Sequence, residues 1–159
     1  MDGKHKTVLN LGAGIQSTAI YLLALDGELD PIDCAIFADV QEEAESVYEH
    51  IEWLKSLNGP EIITVTAGKL GDALENGTDA RGNARTDGGH YISIPAFTLN
   101  PQTNKKGMIR RQCTGDFKIK PIENYIRQVL FDTPKGRPIP KDCHVKQIMG
   151  LSYDEPKRV

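Results

Sequence analysis

The residues best suited to chemistry form a turn of small and hydroxyl side chains directly after a short apolar run, residues 8–11. The turn consists of Gly12, Ala13, Gly14, Ile15, Gln16, Ser17 and Thr18. Backbone N–H groups at a helix start attract anions, and glycines let a ligand approach the backbone closely. We expect this loop to bind a phosphate or a sulfate, with Ser17 and Thr18 adding hydroxyl donors. A plain strand-to-helix connection is the alternative.

Four cations lie close together in the second half of the chain. They are Arg110, Arg111, Lys118 and Lys120, within eleven residues that also hold one acid, Asp116. Arginine binds phosphate or sulfate oxygens in bidentate fashion, and lysine adds a compact charge. We expect these cations to neutralise an anionic ligand, whereas a solvated basic surface is the other interpretation. Cys113, between them, is interpreted as a nucleophile, a cluster ligand or a buried small residue.

One carboxylate, Asp39, is predicted where the second strand ends. It could bind a ribose hydroxyl, help to hold magnesium or cap the next helix. The three cysteines, Cys34, Cys113 and Cys143, are widely spaced and form no Cys-x-x-Cys pair. This spacing argues for reduced thiols and against a disulfide framework or a zinc site, so we predict no self-contained metal site.

Composition favours one soluble domain. The chain has 159 residues, of which 39% are hydrophobic and 26% charged, as in ordinary globular proteins. No apolar run approaches the ~18–20 residues of a membrane helix, and the first residues lack the apolar core of a signal peptide. We therefore expect a cytoplasmic protein with no membrane partner, and the oligomeric state stays open.

Charge is distributed unevenly along the chain. Residues 1–76 carry 14 acidic and 4 basic side chains, whereas residues 77–159 carry 8 acidic and 15 basic ones. A basic half could bind nucleic acid or surround a multiply charged nucleotide. Because no aromatic stripe is interleaved with these cations, we favour the small anion and keep nucleic acid as a second candidate partner.

The hydrophobic pattern predicts an α/β fold that would place these residues at one edge of a sheet. Strands are predicted over residues 7–11, 32–38, 61–66 and 144–150, and helices over residues 16–25, from residue 39, over 70–75 and from Pro121. The first 66 residues are thus predicted as β-α-β-α-β with right-handed parallel crossovers. Residues 77–90 are predicted as a flexible loop and residues 100–107 as a polar loop. In such sheets, ligands bind beyond the carboxyl ends of the strands.

The order of these segments resembles the adenine nucleotide alpha-hydrolase (PP-loop) superfamily. Within it, the chain is most similar to the phosphoadenosine phosphosulfate (PAPS) reductase-like proteins common in phages and prophages. Residues 12–17 occupy the place of that superfamily's Ser-Gly-Gly-x-Asp-Ser loop, and Gln16 stands at the aspartate, as in sulfonucleotide reductases. Residues 37–43 resemble its Asp-Thr-Gly-x-x-x-x-Glu element, which follows the second strand.

Two later segments resemble the same branch. Residues 111–122 resemble its Arg-x-Cys-Thr…Lys-x-x-Pro element. Residues 150–158 resemble its Gly-Ile-Ser-x-Asp-Glu…Arg ending, with Asp154 and Arg158 at two charged positions. The resemblance spans nearly the whole chain and implies one adenine-nucleotide-binding domain over residues 1–159. Its expected fold is α/β, a mostly parallel sheet flanked by helices (a Rossmann-like HUP domain).

The resemblance also implies roles and ligands. The nucleotide, ATP or PAPS with magnesium as a further cofactor, would be bound by the loop residues and by Asp39, Arg110, Lys120, Asp154 and Arg158. Chemistry at the α-phosphate of ATP, or on a sulfonucleotide, would fall to Arg111, Cys113 and Lys118.

Enzymatic activity is left open by the resemblance. Gln16 replaces the loop aspartate, and the reductases' C-terminal Glu-Cys-Gly-x-His tail is absent from this sequence. We therefore expect either an N-terminal piece of a longer protein or a member that has lost reductase chemistry. The alternatives are a non-catalytic nucleotide sensor and a nucleic-acid-binding accessory in sulfur modification of DNA or RNA.

Overall fold

The computed structural model describes residues 4–84, 86, 97–108 and 114–152. The chain divides into two compact units. The first, called the sheet unit, comprises Met1–Ala38, Glu43–Val65 and Ile122–Val159. The second, called the insert unit, comprises Asp39–Glu42 and Thr66–Pro121.

The sheet unit is built on a four-stranded parallel sheet. Strands β1 to β6 are His5–Asn10, Cys34–Asp39, Glu61–Thr66, Phe97–Leu99, Lys106–Met108 and His144–Met149. Helices α1 to α4 are Ile15–Leu25, Glu45–Ser56, Leu70–Glu75 and Lys120–Tyr125. The strand order in the four-stranded sheet is β3-β2-β1-β6, and β1 pairs in parallel with both β2 and β6. The predicted α/β class with a parallel sheet flanked by helices is confirmed, and the architecture is compatible with a Rossmann-like fold.

Both faces of the central strands are buried, because apolar residues occupy successive positions along them. Leu9 and Phe37 belong to a core cluster that also contains residues of α1 and α2. Val8 and Ile36 belong to a second cluster on the opposite face. Neighbouring residues of a strand point to opposite faces, so this alternation places helices on both sides of the sheet.

The helices bury one apolar side each against these two faces. On the first face Tyr21 of α1 and Leu54 of α2 are almost fully buried, at 1% and 0% exposure. The Tyr21 hydroxyl donates a hydrogen bond to the Pro60 carbonyl at 2.9 Å, which satisfies the polar end of a buried ring. On the second face Ile122 and Ile126 fill the space over β1 and β2.

The last helical segment begins earlier than the sequence predicts. A π-helical stretch, Thr114–Ile119, precedes α4, and a second one, Ile126–Leu130, follows it. The start of α4 at Lys120 lies within one residue of the predicted start at Pro121, but the helical segment that contains it begins at Thr114. Proline suits a first turn, but Phe117, 1% exposed, packs with Val40 and Ala73 in the insert unit and stabilises helical backbone ahead of the proline.

A small antiparallel ribbon replaces part of the predicted polar loop. Strands β4 and β5 pair with Phe97 opposite Met108 and Leu99 opposite Lys106. The Asn100 carboxamide oxygen accepts hydrogen bonds from the amides of Gln102 and Thr103, and so fixes the turn between the strands. Strands of three residues are too short to leave a period-two signal in the sequence.

Part of the segment predicted as a flexible loop has a defined turn. The Asp79 carboxylate accepts hydrogen bonds from the amides of Arg81 and Asn83 and from the Asn83 side chain. These hydrogen bonds, those from Asn83 first, lower the pKa of Asp79. Thr78 and Ala84 close the turn through an isolated antiparallel bridge. Residues 85 and 87–90 of the predicted loop lie outside the described residues.

In the described parts of the chain, every helix is too short or too polar to cross a lipid bilayer.

We predict that Cys34 is unreactive in the native protein. Burial, with smaller contributions from Asp33 and Glu61, raises the pKa of the Cys34 thiol to about 11. The thiolate is the nucleophile, so at pH 8 almost none of the reactive form is present. Alkylation with iodoacetamide followed by peptide mass spectrometry should modify the half-buried Cys143 and leave Cys34 unmodified until guanidinium chloride unfolds the chain. Equal native rates at the two thiols would contradict this burial.

Candidate phosphate-binding loop and its surroundings

The loop between β1 and α1 turns at an alanine. Ala13 has a φ of 55°, in the left-handed region that residues with a Cβ rarely adopt. Gly14 follows as the N-cap of α1 with extended backbone, φ −87° and ψ 170°. Neither Gly12 nor Gly14 has a positive φ. The two glycines are therefore not required by the backbone conformation of the turn.

What the glycines provide is space. A Cβ added at Gly12 would meet no atom within 4 Å, and one added at Gly14 would meet the Gln16 carboxamide oxygen at 3.8 Å. Ile15, at the start of α1, is 85% exposed. The helix has no side-chain cap hydrogen bond at its N-terminus, so no loop side chain caps its first amides. This arrangement leaves room for an anion against bare backbone.

The two hydroxyl groups of the loop have partners within the protein. Ser17 is buried, and its hydroxyl donates to the Gly14 carbonyl at 3.1 Å. The Thr18 hydroxyl lies 2.8 Å from the His50 Nε2 atom, in hydrogen-bond contact. The structure therefore uses both side chains to hold the loop and the first turn of α1. Backbone amides are the donors that remain best placed for a ligand.

The end of β6 closes one side of this loop. Gly150 directly follows β6, and a Cβ there would lie 2.5 Å from the Ser17 amide nitrogen and 2.7 Å from the Gln16 carbonyl carbon. Because the chain moves from β1 to β2 on one side and returns with β6 on the other, β1 and β6 flank the point where strand order reverses. Ligands of open parallel sheets bind in the crevice at such a point. Leu151 and Ser152 continue from there.

Asn10, the last residue of β1, was not predicted as a site residue. Its side-chain nitrogen donates to the Gln147 carboxamide oxygen at 3.2 Å. Its own carboxamide oxygen is buried and has no hydrogen-bond partner among the described residues. A buried acceptor without a donor is costly, and this one lies two residues before the loop of residues 12–18. An asparagine between the apolar residues Leu9 and Leu11 was the sequence signal that could have identified it.

A groove between α1 and α2 adjoins the loop and contains a histidine that sequence reasoning missed. It encloses about 520 Å³. Its walls are mainly apolar, and its polar groups are Thr18, Ser46 and His50. The His50 ring also lies 5.3 Å from the ring of Trp53. No acidic, lysine or arginine side chain of the described residues lines the groove.

Asp39 ends β2, as predicted, but it does not cap α2. Its carboxylate accepts a hydrogen bond from the Gln41 amide at 2.7 Å, within a tight turn where Gln41 has a φ of 59°. The N-cap of α2 is Ala44, and the helix begins at Glu45. The predicted helix start at residue 39 and the capping interpretation are therefore wrong, because this carboxylate stabilises the turn that precedes the helix.

Two of the four predicted cations belong to the described residues. Lys120 is exposed and forms an ion pair with Asp116, four residues earlier in the helical segment. Lys118 is half-buried and also has an interaction partner. Both belong to the insert unit, whereas the loop belongs to the sheet unit. The remaining predicted site residues, Arg110, Arg111, Cys113, Asp154 and Arg158, lie outside the described residues.

Within the ranges that the structure describes, no group of three or more His, Cys, Asp or Glu side chains could hold a metal ion. Comparison with protein-family models, with curated proteins and with solved structures gives no match to this chain.

We predict that Gly150→Ala destabilises the protein, because the added methyl would press against backbone atoms of α1 that cannot rotate away. We expect a loss of about 1–3 kcal/mol, as for other overpacked sites, measured by urea unfolding followed by circular dichroism. Gly12→Ala is the matched control, since its methyl would enter open space. Equal stability of the two variants would show that β6 and α1 are not in close contact.

Proposed function

We propose that this protein binds an adenine nucleotide, with a phosphate or sulfate group against the loop of residues 12–18. The observation that carries this proposal is the uncapped start of α1 beside Gly150, at the point where strand order reverses. Free amides and the helix dipole stabilise negative charge there. Because the side-chain hydroxyls are already engaged, the anion would be held mainly by backbone N–H groups.

The adenine part of the proposal comes from the resemblance of four sequence segments to the PP-loop superfamily and its PAPS reductase-like branch. The proposed roles of Asp39, Arg110, Lys120, Asp154 and Arg158 in nucleotide binding follow from the same resemblance.

If the protein is an enzyme, the reaction we propose is attack at the α-phosphate of ATP or transfer of the sulfur group of a sulfonucleotide. Arg111 and Lys118 would stabilise the negative charge that develops in the reaction. Cys113 would act as the nucleophile, and the leaving group would be pyrophosphate from ATP or the adenosine phosphate from a sulfonucleotide. Magnesium would come with the nucleotide and would neutralise part of its charge. A protein that binds tightly without turnover would instead be a nucleotide sensor.

The test is a thermal-shift series with ATP, AMP, adenosine phosphosulfate and PAPS, each with and without magnesium. A ligand that binds the native state alone raises the melting temperature by mass action, by about 2.7 kcal/mol of added stability at a hundredfold excess over Kd. We expect at least one of these nucleotides to do so, while adenosine without phosphate gives a smaller shift. No shift with any member of the series would refute the proposal.

We predict that Gly14→Ala removes the nucleotide-induced shift and leaves the melting temperature of the free protein nearly unchanged. The added methyl would occupy the open space against which the phosphate is proposed to lie. The measurement is the same thermal-shift series, with Lys135→Ala, in an exposed loop of the sheet unit, as the control that should keep the wild-type shift. Wild-type binding by Gly14→Ala would place the ligand elsewhere.

We further predict that replacing Arg111 and Lys118 by alanine abolishes nucleotide binding without preventing folding. Both residues are proposed to balance the charge of the phosphate or sulfate groups. Isothermal titration with the nucleotide that gives the largest thermal shift would measure the change, and far-UV circular dichroism would verify the fold. Unchanged affinity would mean that the basic cluster is a solvated surface.

A further inference from the structure

The ribbon of β4 and β5, in the insert unit, exposes an apolar face. Phe97 is 86% exposed and Leu99 is 58% exposed. Leu99 lies opposite Lys106 across the strand pair, so Phe97, Leu99 and Lys106 share one face. Thr98 lies on the other face, where its hydroxyl approaches Gly107. Exposed apolar side chains that share one face of a strand pair are typical of surfaces that bind a partner.

The charge of this ribbon has a single sign. Residues 97–108 contain Lys105 and Lys106 and no acidic residue. Both lysines are exposed, and neither forms an ion pair with any described residue. The polar side chains that accompany them are amides and hydroxyls, which can donate and accept hydrogen bonds. The ribbon therefore combines an exposed ring with uncompensated positive charge.

We propose that this ribbon binds single-stranded nucleic acid. An unpaired base would stack on Phe97, and Lys105 and Lys106 would contact neighbouring phosphates. Proteins that bind single strands without sequence preference combine stacking rings with positive charge in this way. The proposal is independent of nucleotide binding at the loop, since it uses residues of the insert unit alone.

An anionic membrane is the competing partner, and the turn of the ribbon argues against it. The tip, residues 100–104, is polar, and the Asn100 side chain is committed to hydrogen bonds with the amides of Gln102 and Thr103. A hairpin that inserts into lipid would have to bury these polar groups at a high cost. The apolar residues lie on the strand face, where a base can reach them.

The experiment measures fluorescence anisotropy of labelled single strands of about 12 nucleotides, of mixed sequence, as DNA and as RNA, with the full-length protein. We expect binding that weakens as salt rises. Phe97→Ala should weaken binding about five- to 150-fold, the range for loss of one stacked base. Replacing Lys105 and Lys106 by glutamine should reduce the slope of log K against log salt by about 1.4, for two phosphates on a single strand.

Three controls keep the test decisive. Trp53→Ala removes a half-exposed ring from α2 of the sheet unit, and Lys135→Gln removes a cation from that unit; both should bind like the wild type. Phe97→Trp should restore stacking. Absence of binding by the wild type, or equal losses in the Phe97 and Trp53 variants, would overturn the proposal. Phe97-dependent binding to phosphatidylserine vesicles without binding to single strands would also overturn it. A preference for duplex over single strands that does not change in Phe97→Ala would overturn it as well.

Discussion

Parallel pairing of β1 with strands on both of its sides is the constraint on which the rest of the sheet unit depends. Hydrogen bonds from β1 to β2 and β6 fix the register of all three strands. Because the strands run in the same direction, their carboxyl ends meet at one edge, and every connection between them must cross a face of the sheet. The apolar side chains of β1 and β2 then bury both faces under helices. The loop after β1 owes its position to this arrangement.

Within that frame, the chemistry of the loop is dominated by its backbone. Hydrogen bonding inside the protein occupies the hydroxyls of Ser17 and Thr18, which leaves them to stabilise the turn. Ala13, held in the left-handed region, costs of order 1 kcal/mol compared with glycine. The surrounding contacts must offset that cost. Such local strain is common at sites where the conformation of the backbone itself serves binding.

The sequence was informative wherever the hydrophobic pattern was long and regular. It predicted β3 and α3 at their observed bounds. It also predicted the α/β class, because the spacing of apolar residues and the length of the connections can be read directly from the local sequence. It missed the helical residues Thr114–Ile119 ahead of α4, where tertiary burial of Phe117 stabilises helical backbone before Pro121. It also missed the ribbon, whose order comes from the Asn100 turn and not from strand propensity.

For the candidate site, the sequence identified the loop but not the contacts that surround it. The hydrogen-bond contact of Thr18 with His50 joins two helices through residues that are 32 positions apart along the chain, and no spacing rule could predict it. Gly150 was noted as part of a motif, whereas its role as the residue that lets β6 pack against α1 depends on three-dimensional packing. Local sequence patterns cannot predict contacts between residues that are this far apart along the chain.

The pairing of β1 with β6 also has a consequence for how the protein folds. Asn10 and Gln147, which are in hydrogen-bond contact, are separated by 137 residues. Contacts of such high sequence separation carry the largest loop-closure entropy and form slowly. The crevice at the start of α1 is therefore incomplete until β6 has docked on β1. Before that step the loop of residues 12–18 has one wall missing, so any ligand binding there should follow the docking of β6.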